Sequence, residues 1–473
     1  MAMRLHDTMT RRLREVIPLE DGHVRLYTCG PTVYARAHVG NFRTFLFEDV
    51  LRRWLERRFA RVTHVMNLTD VEDKIIRNAV AAGHGIESET APWIAAFFED
   101  LDTLSIRPAH HYPRATEYIE EMVALIERLD AADVTYRSEG TVYFRISSFA
   151  HYGRLSGVRA DGLVAGAGGR VDADEYDKED ARDFALWKSA DAEEIGWDTR
   201  IGRGRPGWHI ECSAMSMALL GESFDIHCGG VDNIFPHHEN EIAQSEAATG
   251  RPFVTVWCHG AHLNIEGEKM AKSLGNFATV RELVDSGARP SALRYQLIAA
   301  AHYRKPLNYD DTLHAATESV DRFADFSARV RAHTPRAPAN GDTGAVDVRV
   351  STARDAFAAA MDHDLNLPEA MGAIFTMIRS LNRELDGKVL GGATHAHLLA
   401  LIDEVDDVLG VLPLVERERA GAALTPAEQA LLDAREAARA ARQWAESDRL
   451  RASLAEAGIA VEDTAAGQRW HRF

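Results

Sequence analysis

Cysteine is scarce in this chain: Cys29, Cys212, Cys228 and Cys258 are the only four among 473 residues. Their number and scatter exclude a disulfide framework of the secreted kind. Long apolar runs are missing too. No stretch approaches the roughly eighteen apolar residues needed to span a bilayer. The charged start "MAMRLHDTMTRRLRE" has no signal-peptide core. Basic excess is also absent: 54 lysines and arginines face 72 acids, for a net charge of −18. That balance excludes a general coat for nucleic acid, though not local basic strips. The expectation is a reduced, cytoplasmic protein without a membrane partner, and its 46% of apolar residues suffices for sizeable cores. This length allows about three domains.

What is present reads as alternating strand and helix. "HVRLYTCG" (23–30) alternates and ends in glycine, as a strand leaving a sheet does. "NFRTFLFEDVLRRWLERRF" follows at helical spacing, and "RVTHVMNLT" reads as a second strand. Thr69 and Glu72 form a capping box for the next helix. The alternation resumes around "SFDIHCGG" and "FVTVWCHG", which predicts an α/β core with a doubly wound parallel sheet. The arginine run at 43–61 reads as a solvated helix face. The glycine-rich, acidic stretch 161–180 reads as a surface insertion. Beyond residue 275 the pattern is helical, with linkers expected at 333–344 and 412–426. One alanine- and arginine-rich helix then precedes two short strands, "GIAVED" and "GQRWHRF".

Two constellations carry chemistry. In "CGPTVYARAHVGNFRT" a strand ends and a helix begins near Asn41, and such a helix N-terminus is a ready anion site. His38 and Asn41 sit where they can reach a bound triphosphate. Far downstream, "EKMAKSLGNF" offers Lys269 and Lys272 to pyrophosphate oxygens. The second constellation is "PHHENE" (236–241), where His237 and Glu241 are four apart and share a face if helical. Two thiolates would complete a tetrahedral zinc site. Cys29 and Cys212 are the candidates, while Cys228 and Cys258 lie in apolar strands and read as buried structural thiols. Read without a family, the same residues are equally at home as core cysteines and a capping histidine.

"HVGN" and "KMAKS", in this order and on this fold pattern, resemble the two signatures of class I aminoacyl-tRNA synthetases. The resemblance extends over the whole chain to the cysteinyl-tRNA synthetase family, through "CGPTVYARAHVGN", "NLTDVEDKII", "RPGWHIECSAM", "FDIHCGGVDNIFPHHENEIAQSEA", "EKMAKSLGNF", "MDHDLNLPEAM" and "GIAVEDTAAGQRW". It implies a Rossmann-like catalytic core in two halves (1–115 and 201–262) around a connective insertion (116–200). A linking region with the lysine loop (263–332), a helical bundle (333–412) and a small C-terminal anticodon-binding domain (425–473) would follow. The implied activity is ATP-dependent ligation of L-cysteine to its tRNA through a cysteinyl-adenylate.

By the same resemblance, Cys29, Cys212, His237 and Glu241 hold one zinc per chain, with Glu239 and Asn240 supporting the ligands. His38, Lys269 and Lys272 are the catalytic set. ATP is met by these three and by Gly40, Asn41, Gly229, Gly230, Asp232 and His238, with Mg²⁺ as its companion. Gly30, Thr69 and Trp208 line the cysteine pocket, and Arg439, Trp444, Asp448 and Asp463 read the anticodon. The expected partners are ATP, L-cysteine and the cysteine tRNA, and the expected state is a monomer. A ligase of the same core acting on an amino sugar, or a non-catalytic paralogue, would share part of this pattern. The tail argues against the first and the complete site set against the second.

Overall fold

The computed structural model describes residues 2–158, 182–265, 268–269, 277–309, 312–334, 344–385, 391–422, 424–464 and 467–472. The acidic stretch 161–180 and most of the stretch 333–344 lie outside them. The chain divides into two units, Met1–Val411 and Leu412–Phe473.

The first unit opens with a hairpin, β1 (Arg4–Asp7) against β2 (Arg12–Glu15). β3 (His23–Thr28), α1 (Val39–Arg58) and β4 (Arg61–Met66) follow, and the two strands pair in parallel across the helical crossover. Helices α2 (Asp73–Ala82), α3 (Ile86–Thr103) and α4 (Ile119–Ala131) come next. An inserted five-stranded sheet follows: β5 (Thr135–Ser138), β6 (Thr141–Phe144), β7 (Phe184–Ser189), β8 (Trp197–Thr199) and β9 (Gly202–Pro206), in the order β5-β6-β7-β9-β8. The core then resumes with α5 (Trp208–Leu220), β10 (Phe224–Gly230), α6 (Glu239–Thr249) and β11 (Val254–Gly260).

The central sheet runs β11-β10-β3-β4, and all its described pairings are parallel. β3 leads to β4 on one side and β10 lies on its other side, so the winding reverses between β3 and β10. A crevice opens at that reversal, beyond the carboxyl ends of the strands, and ligands of doubly wound sheets bind there. Every residue of β10 is buried, as in a sheet covered on both faces. One face packs Tyr27 and Phe224 with Ile210 and Met215 of α5.

The arginine run of α1 differs from expectation. Arg43, Arg52 and Arg53 are buried, because α1 crosses the middle of the unit and is covered by later helices. Arg43 donates to the carbonyls of Ala261 and Lys305, and Arg53 pairs with Asp49 at 2.8 Å. Arg58 grips Asp362 in the "MDHDLNLPEAM" turn at 2.6 Å. Burying a charge demands such partners. The Thr69–Glu72 box is also corrected: Glu72 itself caps α2 by accepting from the Lys74 N–H, and Thr69 turns inward.

Beyond β11 come β12 (Leu263–Ile265), β13 (Glu268–Lys269), α7 (Val280–Asp285), α8 (Pro290–Ala299) and β14 (Leu307–Asn308). A bundle of α9 (Leu313–Ala332), α10 (Gly344–Asp362), α11 (Leu367–Leu385) and α12 (Gly392–Leu409) completes the unit. No helix among the described residues is long and apolar enough to cross a membrane.

The second unit holds α13 (Leu412–Ala422), α14 (Pro426–Ala440), α15 (Trp444–Glu456) and the hairpin β15 (Ile459–Thr464) with β16 (Gly467–Arg472). The expected linker at 412–426 is thus helical over most of its length. Its two prolines, Pro413 and Pro426, each stand in a first helical turn, where the missing N–H costs nothing, and Leu414 and Val415 are buried. The single tail helix is really two, broken where Arg442 adopts φ 57°. Leu432, Leu454, Ile459 and Val461 form the core of this unit.

Candidate active site and metal centre

Cys29 follows the last residue of β3 and lies at the winding reversal. Its backbone N–H donates to the Cys228 carbonyl, which fixes it to β10. Cys212 comes from α5, one turn after Trp208. His237 stands in the short turn before α6, after the cis Phe235–Pro236 bond, and Glu241 lies in the first turn of α6. One ligand atom from each of Cys29, Cys212, His237 and Glu241 falls within 4.8 Å of all the others. All four are buried or nearly so.

Whether a cation fits these four residues follows from their donor chemistry. His237 Nε2 lies 3.1 Å from Glu241 Oε1, yet Oε1 accepts no hydrogen bond. His237 Nδ1 faces His209 Nδ1 at 3.0 Å, and with the proton on His237 there, its Nε2 is a bare lone pair. Burial pushes Glu241 up to about 7 and holds His237 down near about 3. The Cys29 thiol is raised well above its ordinary value by its hydrogen bond with Cys212 and by burial. Around Cys212 the hydrogen bond from Cys29 pulls down while burial pushes up, and the net shift is upward. Each anion is disfavoured by dry surroundings, and a divalent cation supplies the missing charge. Two sulfurs, one nitrogen and one oxygen suit zinc.

A second set, Cys29, His227, His238 and Glu241, meets the same distance limit. It offers one sulfur in place of two. His227 Nε2 is 3.0 Å from Glu241 Oε2 and its Nδ1 faces the Cys228 carbonyl, which suits an orienting partner. The sequence reading missed His209 and His227, although both lie inside the quoted motifs. Glu239 and Asn240 turn elsewhere than expected: Glu239 accepts from the N–H groups of Gly153 and Ser156, and Asn240 from the Tyr152 hydroxyl. His238 is fully buried, between Cys29 Sγ at 3.3 Å and His259 at 2.8 Å, and does not line the cleft described next.

A cleft of about 300 Å³ opens beside the cluster. Cys29, Gly30, Trp208, His38, Asn41 and Asp232 are among its walls. Gly40 and Gly230 also line it, whereas Gly229 does not. A Cβ on Gly30 would sit 1.8 Å from the Asn67 carbonyl oxygen, so only glycine fits. Trp208 keeps 42% of its surface exposed and stacks on His237, ring centres 4.3 Å apart. Thr69 is 2% exposed; its hydroxyl accepts from Asn67 Nδ2 and bonds the Glu211 carboxyl, so it underlies the pocket from behind.

His38 is the N-cap of α1. Its Nδ1 accepts the Asn41 N–H at 3.1 Å, while Asn41 Oδ1 accepts the His38 N–H at 3.2 Å. That capping box leaves the ring proton on Nε2 and the Asn41 amide N–H₂ as donors. A Cβ at Gly40 would stand 2.9 Å from His38 Nδ1, so glycine permits the fold-back. Lys269 has its backbone in β13, paired opposite Asn264. Its side chain, and Lys272 altogether, lie outside the described residues. The ends of their loop are placed: Leu263 and Phe277 line the cleft, and Phe277 meets the His38 ring edge-on at 5.3 Å.

In the second unit, Trp444 is 57% exposed, and the Arg439 guanidinium sits 5.9 Å from its ring centre. Asp448 is exposed one turn further along α15. Asp463 has its backbone in β15, and its side chain lies outside the described residues.

Comparison with known proteins agrees along the chain. Residues 15–319 match the family described as tRNA synthetases class I (C) catalytic domain, 356–413 the DALR domain, and 421–470 the cysteinyl-tRNA ligase anticodon binding domain. A cysteine–tRNA ligase of Solibacter usitatus is 46% identical over 100% of both chains, and one of Koribacter versatilis 43% identical over 100% of both. Among solved structures, Mycobacterium tuberculosis methionyl-tRNA synthetase in complex with methionyl-adenylate has a TM-score of 0.58 at 17% identity. The likeness covers 83% of this chain and 91% of that one, and at such identity it speaks for the fold alone. The chain belongs to the cysteine–tRNA ligase family of class I aminoacyl-tRNA synthetases.

Proposed function

We propose that the protein joins L-cysteine to its tRNA in two steps, with a cysteinyl-adenylate formed from ATP as the intermediate. The observation that carries this reading is the convergence of Cys29, Cys212, His237 and Glu241, with Cys29 lining the same cleft as His38 and Asn41, the candidate phosphate donors. Zinc held by those four residues would take the substrate sulfur as a thiolate, a soft bond that the hydroxyl of serine does not match. Shape alone separates near-isosteres by only about 10–200-fold. Trp208 and Gly30 close around the cysteine, and Thr69 fixes the wall behind it.

ATP lies toward His38. The Nε2–H of His38 and the Asn41 amide donate to phosphate oxygens at the start of α1, whose dipole favours the same charge. Asp232 accepts from the ribose hydroxyls, with Gly230 allowing close approach. Lys269 and Lys272, on the loop whose ends meet the cleft, clamp the departing pyrophosphate, whose charge Mg²⁺ arriving with ATP would help to offset. The cysteine carboxylate attacks the α-phosphate in line, and positioning with positive charge supplies the acceleration.

In the second unit, the exposed Trp444 ring stacks an unpaired anticodon base, supported by Arg439, and Asp448 and Asp463 accept from exocyclic amines. A core anchor would not be 57% exposed. ATP–pyrophosphate exchange driven by cysteine but not serine, measured beside tRNA charging, tests the whole reading. Exchange without regard to the amino acid would refute it.

A further inference from the structure

Arg36 is the only lysine or arginine among the described walls of the cleft, and Asp232 is the only carboxylate there. It lies in the loop between β3 and α1, two residues before His38. Its Nη1 donates to Asp100 Oδ1 at 2.9 Å and its Nη2 to Glu99 Oε2 at 2.7 Å, both on α3. These bonds use two of its five N–H groups. The two partners differ. Asp100 is buried, with a second oxygen that accepts no hydrogen bond among the described residues, whereas the Glu99 side chain is 68% exposed. The Arg36 side chain itself keeps 21% of its surface open. The Val39 N–H donates to the Ala278 carbonyl at 2.9 Å, so the exit of the lysine loop meets the same start of α1.

The donors assigned to phosphate on α1, His38 Nε2–H and the Asn41 amide, bring no formal charge, whereas a triphosphate carries several negative charges. A guanidinium is always charged and presents a planar fork that fits two phosphate oxygens. An ion pair with an exposed carboxylate is worth little. Glu99 can therefore give up its nitrogen to a phosphate while the buried Asp100 keeps hold of the other. A tie that only fastened the loop to α3 would need the buried pair alone, and would gain nothing from a side chain lining the cleft.

We propose that Arg36 binds the β- and γ-phosphates of ATP, and the pyrophosphate they become, by exchanging Glu99 for phosphate oxygen. The inference rests on the two-step reading above. The step it serves forms a bond between a cysteine carboxylate oxygen and the α-phosphorus. The bond from that phosphorus to the bridging oxygen breaks, and pyrophosphate leaves with the electron pair. Arg36 holds the leaving group in place as that charge develops, and the AMP portion is left to other residues.

The test compares wild type with Arg36→Gln, Arg36→Lys and Glu99→Gln in cysteine-dependent pyrophosphate exchange. For Arg36→Gln the KM for ATP should rise at least roughly tenfold, the worth of one charged hydrogen bond, with the KM for cysteine within about twofold of wild type. The KM for inorganic pyrophosphate should rise with that for ATP, whereas AMP should inhibit variant and wild type alike. Arg36→Lys keeps the charge without the fork and should show the same selectivity at smaller size; it carries the test if the glutamine variant does not fold. Glu99→Gln releases the guanidinium and should leave the KM for ATP no higher than in wild type. An unchanged KM for ATP in the Arg36 variants would overturn the proposal. So would an equal loss for cysteine and AMP, which would mark Arg36 as a structural tie to α3. A rise in Glu99→Gln as large as in Arg36→Gln would also overturn it, because ATP would then depend on the ion pair itself. Absence of exchange in the wild type would instead refute the two-step reading.

Discussion

His237 Nε2 stands 3.1 Å from Glu241 Oε1, and no hydrogen bond among the described residues reaches that oxygen. With the His237 proton on Nδ1, both atoms are acceptors in a dry core, and a cation between them would supply the missing positive charge. Cys212→Ser should therefore lose stoichiometric metal and cysteine activation together, because a hydroxyl is a poor zinc ligand. Elemental analysis of the purified variant checks this, and a variant that keeps its zinc would contradict it.

His209→Ala and His227→Ala probe the partners behind the ligands. Each removes a group that orients His237 or Glu241, at 3.0 Å in both cases. Metal affinity should fall on the order of 10–100-fold for each. Competition with a chromophoric chelator reads the affinity directly, without relying on activity.

His38 has two duties, and one substitution parts them. Asparagine is a good N-cap, so His38→Asn should keep α1 capped and leave the melting temperature near wild type. It lacks the Nε2–H, and pyrophosphate exchange should drop by roughly 10²–10³, as for loss of one transition-state donor. A large loss of stability with little loss of rate would reverse the assignment.

Stability should decline in acid. Burial holds His64, His209, His227, His237 and His259 at about 3, below the ordinary 6.5. The unfolded chain takes up these protons below pH 6.5 while the folded chain does not, so these five histidines make stability rise with pH between about 3 and 6.5 and outnumber Glu241, whose rise to about 7 acts in the opposite sense. In metal-free protein the urea midpoint at pH 5 should lie below that at pH 7. Equal midpoints would contradict the burial argument.

Much of this was legible beforehand because it follows local rules. Strand–helix alternation foretold the parallel sheet, and the four candidate ligands converge. What escaped depends on contacts across hundreds of residues. The arginines of α1 read as a solvated face because their partners, Asp362 and the Lys305 carbonyl, lie far downstream. Glu239 and Asn240 bind the insertion rather than the ligands for the same reason. The 412–426 stretch misled through its two prolines, which first helical turns accept. The lysine loop was named from sequence, yet Lys272 lies outside the described residues, so its role rests on the motif.

The two units should be separable in function. A chain ending at Val411 retains the whole first unit and should keep cysteine-dependent exchange while charging tRNA poorly. Trp444→Ala should weaken tRNA binding by roughly 1–3 kcal/mol, the worth of one aromatic–base stack, without touching exchange. Full charging by the shortened chain would revive the reading of an amino-sugar ligase.

The central claim is that Cys29, Cys212, His237 and Glu241 hold a zinc ion that reads the substrate thiol. X-ray absorption at the zinc edge tests it most directly, on wild-type protein with and without amino acid. The account predicts two sulfur neighbours in the free enzyme, three with L-cysteine, and two again with L-serine. A sulfur count unchanged by cysteine, or the absence of bound zinc, would contradict it.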